Sequence, residues 1–463
     1  MSKVLMQRVT WRVTTLIGFE SVLIFSAVVL GAYIRLGDDA VEDGAWHLIV
    51  RGLLIAAVCQ LCLYYGDLYD SRVVADRRQL YIRTLRALGA TSLILAAIYF
   101  WFPALIIGRG VFMISATLVV TLVVGWRVAL EWVASRVGPR ERLLLVGTSP
   151  ATISLARELH ERKELGVEIV GFIDTDAARV GQPVLNPGVI GVIENIPAIV
   201  SSRSVDRVVV GLQDARGMLP MDALLDMKLQ GVTFDHLASV YEEYTGKIAV
   251  ENLRPSWLIF SPGFRKPYSL AAVKRALDIG AASLGLCLAV PLMLAVAAVV
   301  KTVSRGPVLY RQQRVGEHGK VFTLYKFRSM RTDAEEKTGP VWAQEEDDRI
   351  IPLGQFIRRA RLDELPQLWN VLRGNMSLVG PRPERPEFVR ELTQVIPFYG
   401  QRHVVKPGVT GWAQVRYSYG SSVDDAMEKL QYDLFYIKNL SVALDLFIIF
   451  LTAKTVILRR GAK

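Results

Sequence analysis

Residues 279–301 read IGAASLGLCLAVPLMLAVAAVVK. The uncharged run 279–300 is long enough to cross about 30 Å of hydrocarbon as a helix. Yet Lys274 and Arg275 stand before it, Lys301 and Arg305 stand after it, and Pro291 lies near its middle. Proline removes a backbone donor and kinks or breaks a helix. Cationic flanks at both ends place both ends on the cytoplasmic side. The run is therefore expected to enter and leave the membrane from one face, as a re-entrant helix over 271–301 broken at Pro291.

Further toward the N-terminus lie four more apolar runs, 16–34, 48–65, 87–107 and 111–126. Lys3, Arg8 and Arg12 precede the first, Arg72, Arg77, Arg78, Arg83 and Arg86 separate the second from the third, and Arg136, Arg140 and Arg142 follow the fourth. The other two connections carry Asp38, Asp39, Glu42 and Asp43, or Arg109 alone. The positive-inside rule then makes residues 1–138 a four-span transmembrane bundle with both ends cytoplasmic. No small-residue cleavage site follows the first run, which reads as an anchor. Glu20 and Arg51 sit about a turn inside their spans and read as snorkelling side chains.

Composition agrees with a membrane protein. Of 463 residues, 51% are hydrophobic and 21% charged, against about 25% charged in soluble domains. This excludes a disordered chain and disfavours an ordinary cytosolic enzyme. The net charge of +11 suits anionic lipid or phosphate-bearing partners. Cys59, Cys62 and Cys287 all lie in apolar runs, so neither a disulfide framework nor a four-thiolate metal site is expected.

Residues 139–262 change character. Leu143-Leu144-Leu145-Val146-Gly147 reads as a buried strand ending in glycine, and strands over 168–174 and 206–212 alternate with helical runs. That alternation predicts a parallel, Rossmann-like α/β domain of nucleotide-binding type. The glycine fingerprint is incomplete, because Thr148-Ser149-Pro150 follows Gly147. Asp174 stands where a ribose-binding acid would, and it also opens the D-x-D triplet Asp174-Thr175-Asp176. Binding, spacing and self-association roles for this domain all stay open.

Residues 268–463 form a basic, α-rich domain whose last apolar run, 440–458, is interrupted by Asp445 and Lys454 and reads as an interfacial helix. No H-E-x-x-H, G-x-S-x-G or complete P-loop occurs, and none of the 16 tyrosines has a lysine four places on. The absent Tyr-x-x-x-Lys disfavours a membrane-bound nucleotide-sugar dehydratase. What remains is carboxylate amid arginine. Lys326-Phe-Arg328 is followed by Arg358-Arg-Ala-Arg-Leu-Asp363-Glu364-Leu-Pro366, then by Pro381-Arg382-Pro383. Arginines suit bidentate phosphate contact, and an aspartate among them stays ionised, able to hold Mg²⁺ or to attack phosphorus. A plain salt-bridge network fits the same residues.

Together, Lys274-Arg275-x-x-Asp278, the KFRSM segment at 326–330, LDELPQLWNVLRGNMSLVGPRPE at 362–384 and KPGVTGWAQV at 406–415 resemble the bacterial sugar transferase family of polyprenyl-phosphate phosphoglycosyl transferases. The resemblance covers 268–463, and the preceding spans and α/β domain look like the long form of these enzymes. Residues 241–260 also look similar to the branch associated with exosortase-type exopolysaccharide clusters.

The resemblance implies transfer of a hexose-1-phosphate from a UDP-sugar to undecaprenyl phosphate, starting exopolysaccharide or O-antigen repeat units. It implies Asp363 as nucleophile and metal ligand, Glu364 as its partner in an acidic dyad, and Mg²⁺ as cofactor. Arg358, Arg382, Lys326, Arg328, Lys274, Arg275 and Lys406 are implied at the substrate, and Pro291 at the helix break, where the family often has Ser-Pro and this chain has Val290-Pro291. Expected partners are the UDP-sugar, undecaprenyl phosphate, membrane lipid and a second copy of the chain, with no nucleic acid. The expected location is the bacterial inner membrane, multi-pass, with the catalytic domain on the cytoplasmic face. A catalytically silent nucleotide sensor or scaffold is the rival of a different class; its catalytic domain would be expected to lack the acidic pair or Arg382.

Overall fold

The computed structural model describes residues 3–38, 45–69, 77–137, 141–161, 166–212, 220–250, 261, 263–264, 266–332, 334, 349–417, 420 and 422–457. The readings placed on Asp39, Glu42, Asp43, Arg72, Arg140 and 251–260 lie outside the described residues. The chain forms two compact units, Lys3–His236 and Leu237–Lys463.

The first unit begins with α1 (Lys3–Leu36), α2 (Ala45–Tyr65), α3 (Arg77–Trp101) and α4 (Arg109–Val137). Each contains a stretch long and apolar enough to cross a membrane. They share one apolar core, in which Ile24, Val28, Leu63, Leu95 and Val123 are buried. Glu20 corrects the sequence reading, because it does not snorkel. It is fully buried and takes Arg127 Nε at 2.7 Å and Nη2 at 2.8 Å. In apolar surroundings a carboxylate is tolerable only when paired. Arg127 follows the fourth apolar run by one residue, so hydropathy alone conceals it. Arg51 donates to the Ala104 carbonyl.

The same unit continues with β1 (Glu141–Val146), α5 (Pro150–Glu161), β2 (Val167–Asp174), β3 (Val189–Val192), α6 (Ile196–Ser202), β4 (Arg207–Val210), α7 (Met221–Leu229) and β5 (Thr233–His236). The strands are all parallel, in the order β3-β2-β1-β4-β5. This is the order of a doubly wound sheet, with β1 central and Leu143–Val146 wholly buried. Ala151, Leu155 and Leu159, one face of α5, pack down beside it. Of the three four-residue strands, β4 carries the apolar run 208–210 and is legible within 206–212; β3 and β5, where glycine or charged residues interrupt the apolar positions, are not.

In the second unit, α8 (Leu237–Thr245) departs from the expected boundary at 262. Segment 237–250 packs on α14 (Val423–Lys438). Lys438 Nζ meets Glu242 Oε2 at 2.5 Å, Ile248 N donates to the Gln431 carbonyl, and Trp412 Nε1 donates to the Gly246 carbonyl. Next comes α9 (Tyr268–Val303), helical throughout, so the break expected at Pro291 does not interrupt the helix; the proline removes one backbone donor within it. The hairpin β6 (Leu309–Val315) and β7 (Val321–Phe327) is antiparallel. After it come α10 (Gly354–Arg359), a 3₁₀ turn (Leu362–Glu364), α11 (Gln367–Arg373), β8 (Ser377–Val379), α12 (Pro386–Val395), β9 (Gly408–Thr410), α13 (Trp412–Arg416) and α15 (Val442–Ile457), with α14 between the last two. β8 and β9 pair in parallel, and a Cβ on Gly380 or Gly408 would overlap the other's backbone. That close approach is why both motifs carry glycine there. Asp445, which interrupts the last apolar run, is buried and taken by Lys274 Nζ at 2.5 Å.

Candidate functional site

The acidic pair sits in the 3₁₀ turn between α10 and α11, and side chains from three elements converge on it. Asn370, fully buried on α11, accepts from Tyr325 N at 3.2 Å and donates to the Thr323 carbonyl at 2.7 Å. It thereby acts as a neighbouring strand for β7 and brings Lys326 to the turn. Lys326 Nζ lies 3.1 Å from Glu364 Oε1 and 3.7 Å from Asp363 Oδ2. Arg382 Nη2 lies 3.1 Å from the same Glu364 oxygen, and Arg361 Nη1 lies 3.6 Å from the other. Arg361 holds a left-handed backbone, φ 53°, uncommon for a residue with a Cβ. That conformation turns the chain into the acidic pair.

The two carboxylates are set apart electrically. Burial raises the Asp363 carboxyl above the ordinary aspartate range; Lys326 opposes this and Glu364 adds to it. Burial would raise Glu364 too, but Lys326, Arg382 and Arg361 outweigh it and hold its carboxyl well below the usual range. Arg358 also lowers Asp363, and its Nη1 is buried without a hydrogen-bond partner. Among the described residues no hydrogen bond reaches the Asp363 carboxylate, which is 8% exposed. Glu364 is locked by cations; Asp363 keeps its lone pairs.

Of the expected site residues, Asp363, Glu364, Lys326, Arg382 and Arg358 come together. Arg328, Lys274 and Arg275 do not. Arg328 donates to the Arg305 and Ser304 carbonyls just past α9, each at 2.7 Å. Arg275 donates to the Val371 and Leu372 carbonyls at the C-terminal end of α11, 2.6 and 2.7 Å away. Lys274 is bound to Asp445, Tyr436 and the Val379 carbonyl. Lys406 and Arg275 both approach Gly374, at the far end of α11 from the acidic turn. Pro291 lies within α9. Arg361 stood in the quoted arginine run without a role, and Asn370 gave no sequence signal because asparagine is ordinary on a helix.

No group of three or more His, Cys, Asp or Glu side chains able to hold a metal occurs among the described residues. The Asp174 carboxylate already accepts from Thr148, Thr175, Asp176 and Arg179. At the start of α5, Ser149 Oγ caps Thr152 N, and Pro150 has no N–H. At this turn the Asp174 carboxylate and the Ser149 hydroxyl therefore already have partners within the chain.

Five helices long and apolar enough to cross a membrane, together with a carboxylate pair ringed by cations, describe a membrane-associated protein. Residues 269–459 match the family model for bacterial sugar transferase, and residues 65–217 match that for a CoA-binding domain. The chain is 43% identical over 229 residues to a UDP-N-acetylgalactosamine-undecaprenyl-phosphate N-acetylgalactosaminephosphotransferase of Aeromonas hydrophila, covering 49% of this chain and 53% of that protein. It is 35% identical over 331 residues to an undecaprenyl-phosphate glucose phosphotransferase of Komagataeibacter xylinus, covering 69% and 60%. It is 35% identical over 338 residues to a UDP-glucose:undecaprenyl-phosphate glucose-1-phosphate transferase of Xanthomonas campestris pv. campestris, covering 70% and 68%. The chain belongs to the bacterial sugar transferase family. It spans only 53% and 60% of the length of the first two relatives.

Proposed function

We propose that the chain transfers a hexose-1-phosphate from a UDP-sugar to undecaprenyl phosphate through an aspartyl intermediate. The observation that carries this is the asymmetry of the acidic pair. Asp363 has free lone pairs beside Lys326 and Arg358, while Glu364 is tied up by Lys326, Arg361 and Arg382. An Asp363 oxygen attacks the sugar-proximal phosphorus, the bond to the bridging oxygen breaks, and UMP leaves with the electron pair. An oxygen of undecaprenyl phosphate then attacks the same phosphorus and the carboxylate departs, leaving a lipid-linked diphosphosugar. Lys326 and Arg358 neutralise phosphate oxygens as charge moves, and Arg382 binds the phosphates of the donor. Glu364 gathers Lys326, Arg361 and Arg382, and Lys274, Arg275 and Arg328 hold the scaffold. Lys406 stays a candidate for the substrate's far end.

Mg²⁺ fits this donor set, since it is commonly held by one or two carboxylates together with substrate phosphates, and Asp363 has oxygens to offer. When bound, it would neutralise pyrophosphate charge.

The protein would sit in the bacterial inner membrane with this unit on the cytoplasmic face, and the product would begin an exopolysaccharide or O-antigen repeat unit. Anchoring of α9 supports the re-entrant reading. Before Pro291, Lys274, Arg275, Asp278 and Ala282 pack on the soluble unit; after it, Val296 and Val300 pack with Phe327 and Ile357. Between them Leu284, Leu288 and Leu294 are 63%, 73% and 66% exposed. A helix running straight across a bilayer would leave one end out of reach of a cytoplasmic unit.

The reaction is tested by mass spectrometry of the purified full chain after incubation with UDP-glucose or UDP-N-acetylgalactosamine and Mg²⁺, without lipid acceptor. A phosphosugar adduct on Asp363 is expected, absent in Asp363→Asn together with UMP release. An adduct mapped elsewhere, or turnover by Asp363→Asn, would overturn the assignment.

A further inference from the structure

The loop carrying Arg382 is restrained at every step. Gly380 N donates to the Thr410 carbonyl at 2.9 Å. The Pro381 carbonyl accepts from Gly408 N at 2.9 Å, and the Glu384 carbonyl accepts from Val315 N at 2.9 Å. The two carbonyls between them are held by side chains. Arg402 Nη2 donates to Arg382 O at 3.0 Å, and Arg314 Nη1 donates to Pro383 O at 2.9 Å. Prolines 381 and 383 fix their own φ on either side of Arg382.

Arg402 is an unusual choice for such a bond. It is 5% exposed, and its guanidinium also meets Asp433 Oδ2 at 2.7 Å and donates to Tyr399 Oη at 2.6 Å. Asp433 is 1% exposed. Burying such a pair gives little net stability over well-packed apolar residues. What it supplies is direction: the rigid planar fork hydrogen-bonds Tyr399 Oη and the Arg382 carbonyl while its charge lies beside Asp433, a spread that a lysine ammonium cannot hold. The carbonyl it fixes belongs to Arg382, whose guanidinium reaches Glu364 at 3.1 Å.

We propose that Arg402 and Arg314 are positioning residues for Arg382, fixing the 380–384 loop so that its guanidinium meets the nucleotide-sugar phosphates beside Asp363. Neither touches the substrate. The inference rests on the transfer reaction proposed above and adds the residues that preorganise its phosphate-binding arginine. A site held to within a fraction of an ångström depends on the shell behind it.

The test is a double-mutant cycle on the purified full chain, with undecaprenyl phosphate as acceptor and UDP-glucose and UDP-N-acetylgalactosamine as donors. Arg402→Lys and Arg314→Gln should each raise KM for the accepted donor about tenfold, with a much smaller change in kcat. In an Arg382→Ala background the same substitutions should change KM less than about twofold, because the group they position is gone. A simple loss of structure would not depend on Arg382. Additive effects in both cycles, or unchanged KM in both singles, would overturn the proposal. If Arg402→Lys shows no cooperative melting transition, the Arg314→Gln cycle decides alone. The adduct on wild-type Asp363 reports the reaction separately. Additivity in an enzyme that forms it sinks this inference alone, and a wild type without it sinks both.

Discussion

Asp363 and Glu364 are adjacent in the chain, yet Glu364 faces three cations within 3.6 Å while, among the described residues, Asp363 is ion-paired only to Lys326, at 3.7 Å. Burial consequently prevails at Asp363 and cation pairing prevails at Glu364. The first carboxyl is raised above the ordinary aspartate range, and the second is held well below the ordinary glutamate range.

The pH dependence follows from that contrast. The nucleophilic form of Asp363 is lost as pH falls through a value raised above the ordinary 3.8, so kcat/KM should decline on an acid limb above that value. For stability the signs oppose. Ionising Asp363 costs stability as pH rises from the ordinary value through the raised one, whereas Glu364 contributes stability above the ordinary glutamate value and loses it as pH falls through its lowered one. Asp363→Asn should therefore melt no lower than wild type at pH 7 although inactive, and Glu364→Gln should melt lower by about 1–3 kcal/mol. Thermal unfolding of the purified proteins at pH 5 and pH 7 checks both.

Topology is open to direct labelling. Ser269 and Thr302, both exposed, flank the apolar run at its two ends. In a background with alanine at positions 59, 62 and 287, Ser269→Cys and Thr302→Cys should both resist an impermeant maleimide in intact cells and react after permeabilisation. Reaction of only one in intact cells would mean that α9 crosses the bilayer.

Segment 237–250 should be integral to the second unit. Glu242→Ala leaves the Lys438 ammonium, 8% exposed at its side chain, buried without that partner. A loss of about 3–5 kcal/mol is expected. The paired replacement Glu242→Leu with Lys438→Met should recover most of it. Chemical denaturation in detergent, followed by tryptophan emission, reports the change through Trp412, which donates to the Gly246 carbonyl.

The Glu20–Arg127 pair allows the same logic inside the first unit. Glu20→Ala should strongly destabilise the helices, by about 3–5 kcal/mol, because Arg127 is then buried beside the Leu68 carbonyl without its carboxylate. Glu20→Met with Arg127→Leu should be near neutral. A double variant as unstable as the single would show that the pair itself, and not relief of an orphaned charge, holds the helices together.

Hydropathy, charge flanks and motif order determined by themselves that this chain carries five long apolar helices and a parallel α/β sheet, and they singled out the Asp363–Glu364 pair among cations. Those features are local: a span needs only an apolar run, a buried strand only its residues, and a motif only its order. Tertiary structure decided what depends on partners far away in sequence. It paired Glu20 with Arg127 across 107 positions and gave 237–250 to the second unit through Lys438. It also placed Arg328, Lys274 and Arg275, expected at the substrate, on backbone carbonyls and Asp445. A guanidinium or ammonium has the same charge in the sequence whatever it meets. Only the folded chain determines whether that charge meets a carbonyl, a buried carboxylate or a substrate, because desolvation forces each buried cation onto the nearest acceptor that can satisfy it.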